Sequence, residues 1–216
     1  MMRLSLEGLA AGASRILCLG CHSDDIEIGC GGTVLKLAEE YPGCEFHWVV
    51  FSAGGVREAE ARRGAELFAG SRVKGPLLKT FQDGFMPYVG AEVKAVFEKE
   101  LKQLSPHLIF THYGQDAHQD HRLIAELTWN TFRDHMILEY EIPKYDGDMG
   151  RPSVFVPLSE DVYQKKVKHL MSAFASQRSK QWFREETFLS LMRLRGMECN
   201  APSGYAEAFY CRKLVF

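Results

Sequence analysis

The sequence predicts an α/β fold of Rossmann-like type: a mostly parallel sheet flanked by helices, with a less regular C-terminal third. Three observations carry that expectation. Short, continuously apolar runs, the mark of strands buried on both faces, alternate with longer segments of helical periodicity. The β-α-β-α order holds through the first two thirds of the chain, which implies a doubly wound sheet. Polar clusters follow the first and fourth strands, where such sheets bind their ligands.

Arg15–Gly20 (RILCLG) reads as the first central strand. A polar turn leads to Gly29-Cys30-Gly31-Gly32-Thr33, whose glycines are expected to let the backbone approach another element at a helix N-terminus. Val34–Glu40 continues with apolar residues at helical spacing, and Phe46–Phe51 (FHWVVF) is the second strand. Arg57–Phe68 is a polar helix ended by Gly70. Pro76–Phe81 reads as a third strand, followed by the turn Gln82-Asp83-Gly84. Val89–Leu104 is an amphipathic helix with Val93, Val96, Phe97, Leu101 and Leu104 on one face. Pro106 breaks the chain before the fourth strand, His107–Thr111 (HLIFT). His121–Phe132 reads as helix and Met136–Glu141 as strand. In the last third, Ser153–Leu158 reads as a strand and Ser159–Phe174 as a helix capped by Ser159. Phe183–Arg195 reads as another helix and Ala206–Phe216 as a final strand. No repeat and no linker interrupts the chain, so residues 1–216 are expected to form one domain.

Among 216 residues, 26 Lys+Arg stand against 28 Asp+Glu, a formal charge of −2, with 46% hydrophobic and 25% charged residues. That mix excludes disordered and low-complexity classes. The near-neutral balance gives no electrostatic reason to expect a nucleic acid or an anionic membrane as partner. No apolar run approaches the roughly 18 residues of a membrane span. Glu7 stands where a signal peptide would be apolar, so a cytoplasmic location is expected. The six cysteines are scattered, as for reduced thiols. Cys18 and Cys21 form a C-x-x-C within and just after a strand, whereas the redox version opens a helix.

The informative feature is a convergence of histidines. Cys21-His22-Ser23-Asp24-Asp25-Ile26-Glu27 follows the first strand, and His112–His121 (HYGQDAHQDH) follows the fourth. Four of the eight histidines, His22, His112, His118 and His121, lie in these two segments. Catalytic zinc takes three His or carboxylate ligands and keeps one position open, whereas closed Cys-rich sites are structural. His22 and Asp25 can turn toward one point from a single loop, and His121 can supply a third ligand from a neighbouring loop. Asp24 is then left beside the metal, free to take a proton from water. His118 can face the same pocket as His121 and, protonated, stabilise an oxyanion, with Asp120 orienting it. These parts describe a metal-assisted hydrolase.

Cys21–Thr33 (CHSDDIEIGCGGT) resembles the H-P-D-D-x-E-x-G-x-G-G motif of the PIG-L/LmbE-like N-acetylglucosaminyl deacetylases, and His118–His121 matches that family's H-x-D-H. The resemblance implies a zinc-dependent N-deacetylase acting on a small-molecule amino-sugar conjugate. It implies His22, Asp25 and His121 as zinc ligands, with Fe²⁺ able to use the same set, and Asp24 as general base. It also implies His118 as stabiliser of the tetrahedral intermediate or general acid, assisted by Asp120. Arg57-x-x-Glu60 resembles the family's R-x-x-E segment, whose Arg reaches the sugar, and Asp83 resembles its sugar-hydroxyl-binding Asp. Ser23 replaces the usual Pro, and Cys21 stands where Pro or Ala is common. The last third does not resemble any member closely.

Other readings compete with this one. Asp24-Asp25 after a first strand also suits a Mg²⁺-binding receiver domain, which would leave the histidines without a role. An amidase on another N-acyl substrate, a non-catalytic sugar-binding or regulatory protein, and a homo-oligomer are the remaining alternatives. His47 and His107 read as packing or surface residues, His135 and His169 as solvated. Lys165, Lys166 and Lys168 read as a solvated helix face. Trp129, Trp182 and Phe183 read as core.

Overall fold

A computed structural model describes residues 14–215. Glu7, the basis for expecting no signal peptide, lies outside the described residues, as does Phe216. The elements run β1 (Arg15–His22), α1 (Asp25–Glu40), β2 (Glu45–Ser52), α2 (Val56–Ala69), β3 (Val73–Leu78), α3 (Gly90–Val96), β4 (Leu108–His112), α4 (Gln119–Thr131), β5 (Met136–Tyr140), β6 (Val154–Pro157), α5 (Glu160–Ala173), α6 (Glu185–Glu198) and β7 (Ala206–Tyr210). One seven-stranded sheet has the order β3-β2-β1-β4-β5-β7-β6. The first five strands pair in parallel; β7 pairs antiparallel with both β5 and β6. The fold is therefore the mostly parallel, helix-flanked α/β sheet that the sequence predicts. No helix among the described residues is long and apolar enough to cross a membrane.

Side chains alternate across the sheet, so each strand feeds two cores. Ile16 and Cys18 of β1 join the layer built with α1, α2, α5 and α6, whereas Leu17, Leu19 and Cys21 join the layer built with α3 and α4. Cys18 and Cys21 thus lie on opposite faces of the sheet, a placement that does not suit a paired C-x-x-C. The segment after β3 continues past α3 through a π turn at Phe97–Leu101 and a 3₁₀ turn at Lys102–Leu104.

Helix α1 starts at Asp25, earlier than the sequence suggests, and carries the glycine run in its interior rather than at its N-terminus. The glycines serve packing. A Cβ on Gly29 would overlap the Tyr140 ring, and one on Gly31 would overlap Phe68. At Gly32 the neighbour is Glu207 of β7, whose carboxylate accepts hydrogen bonds from Gly32 N (2.7 Å), Thr33 N (2.6 Å) and Thr33 Oγ1 (2.6 Å). Lys166 of α5 completes the cluster, donating to Glu207 Oε1 and to Ile28 O, each at 2.6 Å.

Lys166 is therefore buried, not part of the solvated face expected with Lys165 and Lys168. His135 and His169 are half-buried rather than solvated, packed edge-on against Phe132 and Phe68. Phe183 is in the core, with Trp182 partly buried in the same layer and Trp129 partly buried against the opposite one. Replacing Glu207 by Ala would leave the buried Lys166 ammonium with Ile28 O but no counter-charge, and would remove the acceptor shared by Gly32 N, Thr33 N and Thr33 Oγ1. The expected cost is about 3–5 kcal/mol, as for breaking a buried ion pair. Denaturant unfolding measures it, and a loss under about 1 kcal/mol, the range of a solvated pair, would contradict this account.

Candidate active site

The strand order reverses between β1 and β4, and their carboxyl ends open the crevice where α/β sheets place ligands. His22 ends β1, Asp24 is the N-cap of α1, and Asp25 is its first residue. His118 is the N-cap of α4, with Asp120 and His121 in its first turn. Arg57 lies in the first turn of α2, and Asp83 in the turn after β3. All eight residues singled out in the sequence meet at this crevice, from four separate segments.

Three atoms form its centre. His22 Nδ1 lies 3.2 Å from His121 Nε2 and 3.3 Å from Asp25 Oδ2, and His121 Nε2 lies 3.6 Å from Asp25 Oδ2. Ligands about 2.0–2.1 Å from a tetrahedral Zn²⁺ stand about 3.3–3.4 Å from one another. The triangle therefore has the size of one face of such a tetrahedron. Its other nitrogens are already engaged: His22 Nε2 meets Asp83 Oδ1 and His121 Nδ1 meets Asp116 Oδ2, both at 2.9 Å. Carboxylates only accept, so each outer nitrogen carries hydrogen and each inner one can offer a lone pair.

Charge in the pocket follows the same pattern. Burial alone would lower His22, but Asp25, Asp120 and Asp83 outweigh it and hold the ring well above the ordinary histidine value. Burial pushes His121 down to about 4, so it is neutral. His22 Nδ1 and His121 Nε2 face each other at 3.2 Å, and a divalent ion held between them would need both unprotonated. Burial would raise Asp25, yet the three surrounding histidines hold it well below the carboxylate range. Cys21 and His112 also lie within reach of Asp25 and His121. Burial, reinforced by Asp25, pushes the Cys21 thiol up, which makes it a poor ligand. His112 Nε2 accepts from Cys21 N (3.0 Å), with the Tyr140 oxygen and Asp25 Oδ2 each 3.2 Å away. The donor set of His22, Asp25 and His121 fits a catalytic metal with an open position.

Residues 17–132 match the PIG-L family, GlcNAc-PI de-N-acetylase. The chain belongs to the PIG-L family. Solved structures share its fold. N,N′-diacetylchitobiose deacetylase from Pyrococcus horikoshii is 19% identical, with a TM-score of 0.71 over 96% of this chain and 86% of that one. A conserved protein from Thermus thermophilus is 18% identical, with a TM-score of 0.72 over 93% and 95% of the two chains. The 4-carboxy-2-hydroxymuconate hydratase from Pseudomonas putida is also 18% identical, with a TM-score of 0.70 over 94% and 98%. A deacetylase and a hydratase on one fold mean that the reaction has to be argued from the site.

Around the PIG-L centre, several side chains take positions that the sequence did not foretell. Arg57 is not extended toward open solvent: its guanidinium bonds Asp24 Oδ1, Glu60 Oε2 (2.8 Å) and Ser176 Oγ (3.2 Å). Asp24 Oδ2 is buried without a partner. Burial raises Asp24, with Arg57 pulling the other way and Asp25 adding to the rise. Asp83 is exposed at the rim, its side chain 69% accessible, yet bonded to His22.

The Asp120 carboxylate accepts from Gly84 N (2.7 Å) and Met86 N (3.2 Å), fixing the loop that carries Asp83. It touches His118 only through its backbone N–H, which donates to His118 Nδ1 at 3.2 Å. Burial and the charge on His22 lower His118, which works against the imidazolium that the sequence reading invokes. With Nδ1 accepting, Nε2–H is the donor that faces the pocket.

His112 was among the converging histidines of the sequence, but Asp116 and the Tyr140 partner of His112 were not singled out there. Asp116 sits five residues before His121 inside the second polar cluster, which is the only sequence signal for it. Tyr140 donates to Leu19 O at 2.6 Å, a contact across β4 that no linear pattern announces.

Proposed function

We propose that this protein is a metal-dependent N-deacetylase that removes the acetyl group from an N-acetylated amino sugar of the N-acetylglucosamine type. The observation that carries the reading is the triangle of His22, Asp25 and His121 with an unpartnered, Arg-held carboxylate oxygen beside it. Zn²⁺, or Fe²⁺ on the same ligands, would supply Lewis acidity there, acidifying water and polarising the amide carbonyl.

The chain's own residues do the rest. Asp24 accepts the proton of the attacking water through Oδ2, and Arg57 on Oδ1 holds it in place. The Nε2–H of neutral His118 donates to the oxyanion as the tetrahedral centre forms. Asp24, then protonated, returns its proton to the leaving amine. Asp83, exposed at the rim, is the sugar-hydroxyl acceptor, and residues 1–216 act as one domain. The substrate is a small molecule met in the cytoplasm, and homo-oligomerisation is compatible with this use of the pocket.

The test is elemental analysis of wild type and His22→Ala purified without added metal, followed by acetate release from N-acetylglucosamine and N,N′-diacetylchitobiose. About one ion per chain, lost in the variant, together with acetate release, is the expected result. Absence of metal even after incubation with Zn²⁺ would overturn the reading in favour of a sugar-binding protein. Bound metal without acetate release from any N-acetylated amino sugar would overturn the reaction while leaving the site.

A further inference from the structure

We infer that Lys144, in the loop after β5 and outside the family-matched segment, is a positioning residue for the metal centre, acting through Asp116 on His121. The inference deepens the proposed metal site and rests on that reading.

Lys144 is a nearly buried cation, its side chain 9% accessible, in a part of the chain that shows no resemblance to a functional motif. Its ammonium lies 3.0 Å from Asp116 Oδ1 and 2.5 Å from Asp148 Oδ2. Both partners lead back to the β4–α4 loop. Asp148 Oδ2 accepts from Ala117 N at 2.6 Å, and Asp116 Oδ1 accepts from His118 N at 2.8 Å. Asp116 Oδ2 is the atom that holds His121 Nδ1 at 2.9 Å. Lys144 and His118 N thus grip one oxygen of the carboxylate, which aims the other at His121. The ring is fixed with Nε2 toward His22 and Asp25.

Two neighbours show that this arrangement is built rather than incidental. Arg122 Nη1 donates to the carbonyls of Asp116 (2.8 Å) and Ala117 (2.5 Å), clamping the same loop from the α4 side. Asp116 is itself buried, so without Lys144 its charge would face the interior with one fewer partner. The matching carboxylate on the other histidine, Asp83, is exposed and has no such cation on it among the described residues. The two metal histidines are therefore held unequally: His121 through a buried, charge-compensated relay and His22 through a rim residue.

A purely structural Lys144 and a positioning Lys144 differ in one measurable respect. The experiment is Zn²⁺ affinity of the full chain by competition with a chromophoric chelator, alongside thermal unfolding of the metal-free protein. Lys144→Met is expected to weaken Zn²⁺ binding by about 10–100-fold, the usual effect of losing a partner that orients a ligand. Lys144→Arg should restore most of it, since a guanidinium can span the two carboxylates. Asp116→Asn should lose as much as Lys144→Met, and the double variant no more than either alone. Wild-type affinity in Lys144→Met, with or without a lowered unfolding temperature, overturns the inference and leaves the metal site standing. Additive losses in the double variant overturn it as well. A wild-type chain that binds no Zn²⁺ fails one step earlier, taking the proposed function with it.

Discussion

Asp24→Asn is expected to lower turnover by about 10²–10⁴-fold, the range for loss of a general base, and to leave metal content at the wild-type level. Two features of the structure require this combination. Asp24 Oδ2 is buried with no partner, so it is free to take a proton, and Asp24 lies outside the His22–Asp25–His121 triangle. Side-by-side elemental analysis and acetate release check both halves, and loss of metal in the variant would mean that ligand and base are exchanged. The pH profile carries the same signature. Burial raises Asp24, and the base works only when ionised, so activity falls as pH drops through that raised value. Arg57→Met removes the charge that opposes the rise, and should move the acid limb to higher pH while lowering the maximum rate.

His121→Ala is expected to abolish both metal binding and turnover. This ring supplies one of three proposed ligands, is 2% exposed, and is neutral because burial pushes it down to about 4. Removing an orienting partner of a ligand costs about 10–100-fold in metal affinity, so removing the ligand itself costs more. Metal analysis of the purified variant decides the matter: a full complement would take His121 out of the ligand set. Its rate loss should exceed that of Asp24→Asn, which keeps the metal.

The parallel half of the sheet was legible because its strands are short apolar runs with polar breaks, and FHWVVF and HLIFT have no other plausible use. The pocket was legible because its ligands sit within two short segments at strand ends. What failed to show depends on contacts between distant segments. The start of α1 reads as a polar turn because Asp24, Asp25 and Glu27 are hydrophilic, yet Asp24 and Asp25 line the crevice and Glu27 is buried against Gly64. Lys166 reads as a solvated charge because nothing near it in sequence reveals Glu207, 41 positions away. His118 reads as a candidate imidazolium because its residue type permits it, and the burial and neighbouring His22 that lower it come from contacts the sequence does not display. Arg57 reads as a sugar-reaching residue because of the R-x-x-E pattern, and that pattern does not announce that its guanidinium also bonds Asp24 and Glu60.

The place of β7 bears on when the site matures. It is the last strand in chain order yet lies between β5 and β6, so the growing chain must leave the free edge of β5 open until residues 206–210 have been made. An unpaired edge is where a nascent chain pairs wrongly, which makes this interval the exposed stage of synthesis. The three proposed ligands are all translated by residue 121, but the helix that presents Asp25 gains its Glu207 brace only at the end. Bracing of the candidate pocket is thus a late event in the life of each molecule.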